Sequence, residues 1–150
     1  ADLHDTPGRM AATGVIAKEV PWSQSRSFFY WRLRRRLAEF HIRTQVMKND
    51  SKITVLEAAD LIKQWFNESS NSTNPQEQWE DSKFVLGWMA SKQQSLRERL
   101  ENIRRASVEA QSRELAKSCP EAAAMGIVSA FHEMDYMQRE ILRQQLEAIR

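Results

Sequence analysis

Apolar residues recur at spacings of three and four along most of the chain, the period of an amphipathic helix and not of a strand. Phe29, Leu33, Leu37 and Phe40 fall at i, i+4, i+8 and i+11. They predict a long helix from Ser23 whose stripe faces a core, with Arg32, Arg35, Arg36 and Glu39 mainly off it. The polar segment Val46 to Lys52 breaks that pattern. Thr54-Val55-Leu56-Glu57 is a capping box, and it opens a second helix with Leu56, Ala59, Ile62 or Leu61, Trp65 and Phe66 inward. A short helix follows over Trp79–Ala90, around Phe84, Val85, Trp88 and Met89. A long charged one runs from Ser91 to Lys117, with Leu96, Leu100, Ile103, Ala106 and Ala110 on one face. Ser118-Cys119-Pro120-Glu121 reads as another capping box, starting a helix over Ala122–Glu133. Asp135-Tyr136-Met137-Gln138 repeats the signal for a last helix through Ile141, Leu142, Leu146 and Ile149.

Breakers place the rest. Thr6 is a cap, Pro7 suits a first helical position and Gly14 supplies a left-handed stop, so a two-turn helix lies between them. Val15 to Val20, ended by Pro21, is the one good strand candidate. A strand needs a neighbour for its backbone groups, and no second one is legible in 150 residues. Either this segment is irregular, or its partners lie outside this sequence. Asn67 to Gln78 is the clearest loop, rich in Ser and Asn, and nothing in it builds a core. The expectation is a mainly α chain of six or seven helices, with at most one short strand near 15–20.

Composition agrees with that class. Gly and Pro number four each in 150 residues, far below the usual share of roughly 12%, which disfavours a sandwich or barrel. The length suits one ordinary domain. The formal charge of +2 is uneven: residues 1–50 hold nine Lys and Arg against five Asp and Glu, and each later third is close to balance. A protein that binds through phosphates usually carries a larger excess. Cys119 is the single cysteine, so no internal disulfide forms, which suits a reducing compartment. No apolar run approaches the ~20 residues of a membrane span. The opening Ala1-Asp2-Leu3-His4 reads as the continuation of something longer, so a fragment is expected.

Candidate chemistry is sparse. His4 stands beside Asp5, and His41 and His132 are far away, without the local spacing that a zinc site needs. No nucleophile elbow, phosphate-binding Gly loop or dinucleotide fingerprint is present. Cys119 at a helix start is placed where the dipole favours a thiolate, although a small residue in a cap is the simpler account. Asn71-Ser72-Thr73 matches a glycosylation sequon, which is empty in a cytosolic setting. Arg32-Leu33-Arg34-Arg35-Arg36 beside Phe28-Phe29-Tyr30-Trp31 admits a nucleic-acid reading, with guanidinium groups on phosphates and aromatics on bases. The helical stripe explains the same aromatics as core.

Read together, Ala1-Asp2-Leu3-His4-Asp5-Thr6-Pro7-Gly8-Arg9-Met10, Gly14-Val15-Ile16, Trp22 and Ser25 to Leu37 resemble one family. It is the C-terminal end of the carboxyltransferase domain of eukaryotic multidomain acetyl-CoA carboxylase. Beyond residue 50 the resemblance is one of pattern: a helix ending Ile62-Lys63-Gln64-Trp65-Phe66, a variable loop, an acidic segment with Trp88 and two terminal helices. The resemblance implies that residues 1–45 close the second crotonase-like (α/β) half and that 46–150 form a helical extension. It implies transfer of a carboxyl group from carboxybiotin to acetyl-CoA, giving malonyl-CoA, the first step of fatty acid synthesis. Biotin would sit on a separate carrier domain, and ATP and Mg would serve a biotin carboxylase domain outside this chain. Partners would be the rest of the carboxyltransferase, a second subunit of a homodimer and the carrier domain, with no nucleic acid and no membrane span. The compartment would be cytoplasmic, or the plastid in a photosynthetic lineage. The family's substrate-binding residues lie before this stretch, so no catalytic, cofactor-binding or metal residue transfers, and the fragment alone is expected to be inactive. The alternative is a stand-alone helical interaction or nucleic-acid-binding module using Arg32–Arg36.

Overall fold

A computed structural model describes residues 6–16, 18–70 and 74–148. Among these there are eight helices and no strand: α1 (Pro7–Ala12), α2 (Trp22–Asn49), α3 (Val55–Ser69), α4 (Pro75–Glu80), α5 (Ser82–Ser91), α6 (Gln93–Ser118), α7 (Pro120–Glu133) and α8 (Tyr136–Glu147). The chain divides into two compact units, one up to Leu100 and one from Glu101 onward. Ala1–Asp5, with the His4–Asp5 pair and the start of the resemblance, lies outside the described residues, as do Ala17, the sequon at 71–73, and Ile149.

The local signals set most boundaries. Pro7 opens α1, and Gly14 adopts the left-handed conformation (φ 76°) that ends it, its N–H donating to the Ala11 carbonyl at 3.1 Å. The Thr6 side chain makes no capping bond. Val15 and Ile16 do not enter a strand. Their N–H groups both donate to the Met10 carbonyl, at 2.9 and 3.2 Å, and residues 18–21 have no regular structure. With no second strand to pair with, the β-prone residues fold back on the helix end. Thr54 caps α3 as expected: its hydroxyl accepts the Glu57 N–H at 3.3 Å, and Glu57 Oε2 accepts the Thr54 N–H at 2.8 Å. Asp135 and Gln138 form the same reciprocal box at α8.

Three expectations are corrected. Val46 to Asn49 continue α2, because Val46, fully buried, is a core residue that prolongs the helix past its polar neighbours. The loop over Asn67–Gln78 is interrupted, since Asn74 caps α4 and Pro75 occupies its first turn. The cap of α7 is Cys119, and Ser118 instead donates its hydroxyl back to the Glu114 carbonyl at 2.9 Å, so no capping box forms there.

The first unit owns the core. Helix α2 packs on α3 and α5, and Val46, Ala58, Ile62, Trp65, Phe66, Val85, Trp88 and Met89 are buried with Leu96 of α6. Phe66 is its centre, with ring centroids of Trp79, Trp88 and Phe84 at 5.1, 5.2 and 6.2 Å. Burial of each such side chain contributes about 1.5–3 kcal/mol. Leu56 is exposed, while Ala58, two residues on and across α3 from it, is buried. In the second unit α7 and α8 bury no residue, and Ala106 and Ala110 of α6 are exposed.

The stripe on α2 is left uncovered within the first unit. Phe29, Leu33, Leu37 and Phe40 are 60–62% exposed. The side turned to α3 and α5 carries half-buried Phe28, Trp31 and Ile42 and buried Val46, with Arg35 and Glu39 between them. At 3.6 residues per turn the two stripes lie about 180° apart. Helices α3 and α5 cover one side of α2 only, and the side that can also bury an internal ion pair is the one they take.

Candidate interaction surface on the arginine helix

The run Arg32–Arg36 is distributed around α2 and does not form one basic strip. Arg35 points into the first unit, where only 9% of its side chain is accessible. Its Nε donates to Glu39 Oε1 at 2.6 Å, and its guanidinium also donates to the carbonyl of Trp79. The guanidinium carbon lies 4.4 Å from the centroid of the Trp79 ring. Arg36, more than half exposed, donates to the other oxygen of Glu39 at 3.1 Å. Arg34 donates to the Tyr30 hydroxyl at 3.0 Å on the far side of the helix, and Arg32 lies over the Phe28 ring at 5.9 Å. Glu39 thus accepts from two arginines, one turn away on its own helix.

Beside this pair is a cavity of about 210 Å³, bordered by Arg32, Arg36, Arg43 and Lys63 and by Asp60 and Glu80. The Arg43 Nε is buried there without a hydrogen-bond partner among the described residues. Its volume is below the ~300–1,000 Å³ of pockets that enclose a drug-sized ligand, so neither coenzyme A nor biotin is placed in it. The carboxylates on both sides leave it a mixed-charge crevice.

The remaining candidates are scattered. His41 hydrogen-bonds Gln45 at 2.8 Å, His132 is exposed on α7, and Cys119 is exposed at the start of that helix. Among the described residues no group of three metal-ligating side chains comes together, and no helix is long and apolar enough to cross a membrane. Two carboxyls are held below their usual range. Glu57 is lowered by the Thr54 N–H and hydroxyl it accepts from, and Glu68 by the hydrogen bonds from Arg99, at 2.6 Å, and Gln64. Both serve helix ends and helix packing.

The Arg35–Glu39–Trp79 arrangement was not assembled from the sequence. The available signals were the i, i+4 Arg–Glu spacing and a second apolar register through Trp31, Ile42 and Val46.

Comparison with known proteins decides between the two functional readings. No family model matches the chain. Acetyl-CoA carboxylase 2 of Arabidopsis thaliana is 34% identical over 152 aligned residues, covering the whole chain. The chain belongs with the eukaryotic acetyl-CoA carboxylases. Acetyl-CoA carboxylase 1 of Oryza sativa subsp. japonica is 42% identical over 59% of the chain, and the acetyl-CoA carboxylase of Saccharomyces cerevisiae 34% over 78%. The chain spans only 4–6% of the length of these curated relatives. The stand-alone nucleic-acid module is the weaker reading: the carboxylase likeness runs through the arginine helix, and Arg35 and Arg36 are engaged with Glu39.

Proposed function

We propose that this chain is a structural, non-catalytic segment of a biotin-dependent acetyl-CoA carboxylase. In this reading residues 1–45 close the second crotonase-like half of the carboxyltransferase and 46–150 form a helical extension, with α2 running through from one into the other. The whole enzyme transfers a carboxyl group from carboxybiotin to acetyl-CoA, making malonyl-CoA for fatty acid synthesis. In such chemistry backbone N–H groups stabilise the enolate as an oxyanion hole does, and the parts that do this are assigned to the preceding sequence. Biotin belongs to the carrier domain, and ATP and Mg to the biotin carboxylase domain. The working assembly is a homodimer in the cytoplasm, or in the plastid of a photosynthetic lineage.

The observation that carries this reading is the likeness to the Arabidopsis carboxylase along the entire chain. Supporting it, Glu57 serves a helix cap and Glu39 an ion pair with Arg35. The test is enzymatic. Purified 150-residue chain, given biotin and malonyl-CoA, is expected to show no decarboxylation above buffer, whereas deleting the same residues from the whole carboxylase should abolish carboxyl transfer. Turnover by the chain alone, or full activity of the deleted enzyme, would overturn it.

A further inference from the structure

The outward side of α2 is an apolar ridge that the described residues of its own unit leave uncovered. Trp22 is 92% exposed, and Phe29, Leu33, Leu37 and Phe40 are each exposed by about 60%. From Trp22 to Phe40 the ridge is roughly 27 Å long at 1.5 Å per residue. A large apolar strip of this kind marks an interaction site. The charges that α2 itself sets beside the ridge are almost all of one sign. Outside the buried Arg35, helix α2 carries Arg26, Arg32, Arg34, Arg36, Arg43 and Lys48, while its single carboxylate, Glu39, is 5% exposed and already shared by two arginines. A second copy of α2 laid against this ridge would set arginine against arginine, which like-charge repulsion opposes. The complementary partner is an apolar ridge bordered by Asp and Glu.

We propose that the outward face of α2 docks a carboxylate-bordered apolar surface of the carboxylase polypeptide outside these 150 residues. This rests on the carboxylase reading, and the relatives have ample chain to supply such a surface, since the present residues span 4–6% of their length. The interface joins a hydrophobic centre to a charged rim, the usual anatomy of a specific contact. The arginines set its register and orientation, and Phe29, Leu33 and Phe40 supply the buried area.

The test compares one position in two contexts. L33C in a C119S background is alkylated by N-ethylmaleimide and read by peptide mass spectrometry, first in the 150-residue chain and then in the whole carboxylase. Alkylation should be rapid in the chain and at least ten times slower in the active carboxylase. Should L33C disturb assembly, hydroxyl-radical footprinting of Phe29 and Phe40 in the unaltered proteins gives the same reading, with protection only in the whole enzyme. R26E with R32E should leave the helical signal of the isolated chain unchanged and lower the melting temperature of the whole enzyme. Equal labelling in both contexts in a polypeptide that carboxylates acetyl-CoA overturns the docking alone. A whole polypeptide without acetyl-CoA carboxylase activity overturns the reading beneath it. Co-sedimentation of the whole enzyme with phosphatidylserine vesicles, with Leu33 protected only on the vesicles, assigns the face to a membrane and also sinks the proposal.

Discussion

Arg35 and Trp79, 44 residues apart, are joined twice: the guanidinium donates to the Trp79 carbonyl and lies over the Trp79 ring. This contact fastens the short helix α4 to α2, and Glu39 neutralises the charge at 2.6 Å. Removing one member of a buried pair leaves an unpaired charge, at a cost of about 3–5 kcal/mol. Glu39→Ala is therefore expected to destabilise the first unit by that amount in urea unfolding. Replacing both, Arg35→Met with Glu39→Leu, should be far milder, because an apolar pair of similar volume is often neutral. A double variant no more stable than Glu39→Ala would show that the charges are not coupled.

The exposed ridge reverses a natural expectation about Leu33. A buried stripe would make Leu33→Ala cost ~2–5 kcal/mol. With Leu33 61% exposed, the change is expected to stay within about ±0.5 kcal/mol in the 150-residue chain. Ile62→Ala, at a site 1% exposed, should instead cost ~2–5 kcal/mol. Equal losses at the two sites would place Leu33 in a core.

These contrasts mark what was legible in the sequence. Helix class, α3 with its Thr54 box, α8 with its Asp135 box and the stop at Gly14 are local signals, written within four residues of where they act. Which stripe of α2 is buried is not local. Phe29, Leu33, Leu37 and Phe40 form the more regular pattern, but the side that α3 and α5 cover includes Arg35 and Glu39, which look like surface residues until Trp79 is brought beside them. Whether the β-prone residues around Val15 and Ile16 form a strand is likewise not local, because a strand is decided by its neighbour.

Acid should loosen the first unit through two carboxylates. Glu57 and Glu68 titrate below the ordinary carboxylate range in the folded chain, through Thr54 and through Arg99 with Gln64. The unfolded chain binds their protons more readily, so their contribution is complete above roughly pH 4.3 and is lost as pH falls through the lowered folded values. Melting temperatures taken from pH 6 to pH 3 should fall, and the fall should be shallower in Glu57→Gln with Glu68→Gln. An identical slope in that variant would assign the acid sensitivity elsewhere.

Helices α7 and α8 bury no residue, and Met125, Ile127, Val128, Tyr136, Met137, Ile141 and Leu146 are all more than half exposed. Isolated helices of 14 and 12 residues are marginal in water even for favourable sequences. Their stability has to come from packing, and in α3 it does: Ala58, Ile62, Trp65 and Phe66 are buried. Native-state amide exchange should therefore divide the chain, with α7 and α8 opening at least ~1.4 kcal/mol more easily than α3, about tenfold in protection. If the chain serves as a piece of a carboxylase, the same amides should become protected in the whole enzyme, where further polypeptide covers those apolar side chains. Protection of α7 and α8 equal to that of α3 in the isolated chain would mean that the terminal helices need no such cover.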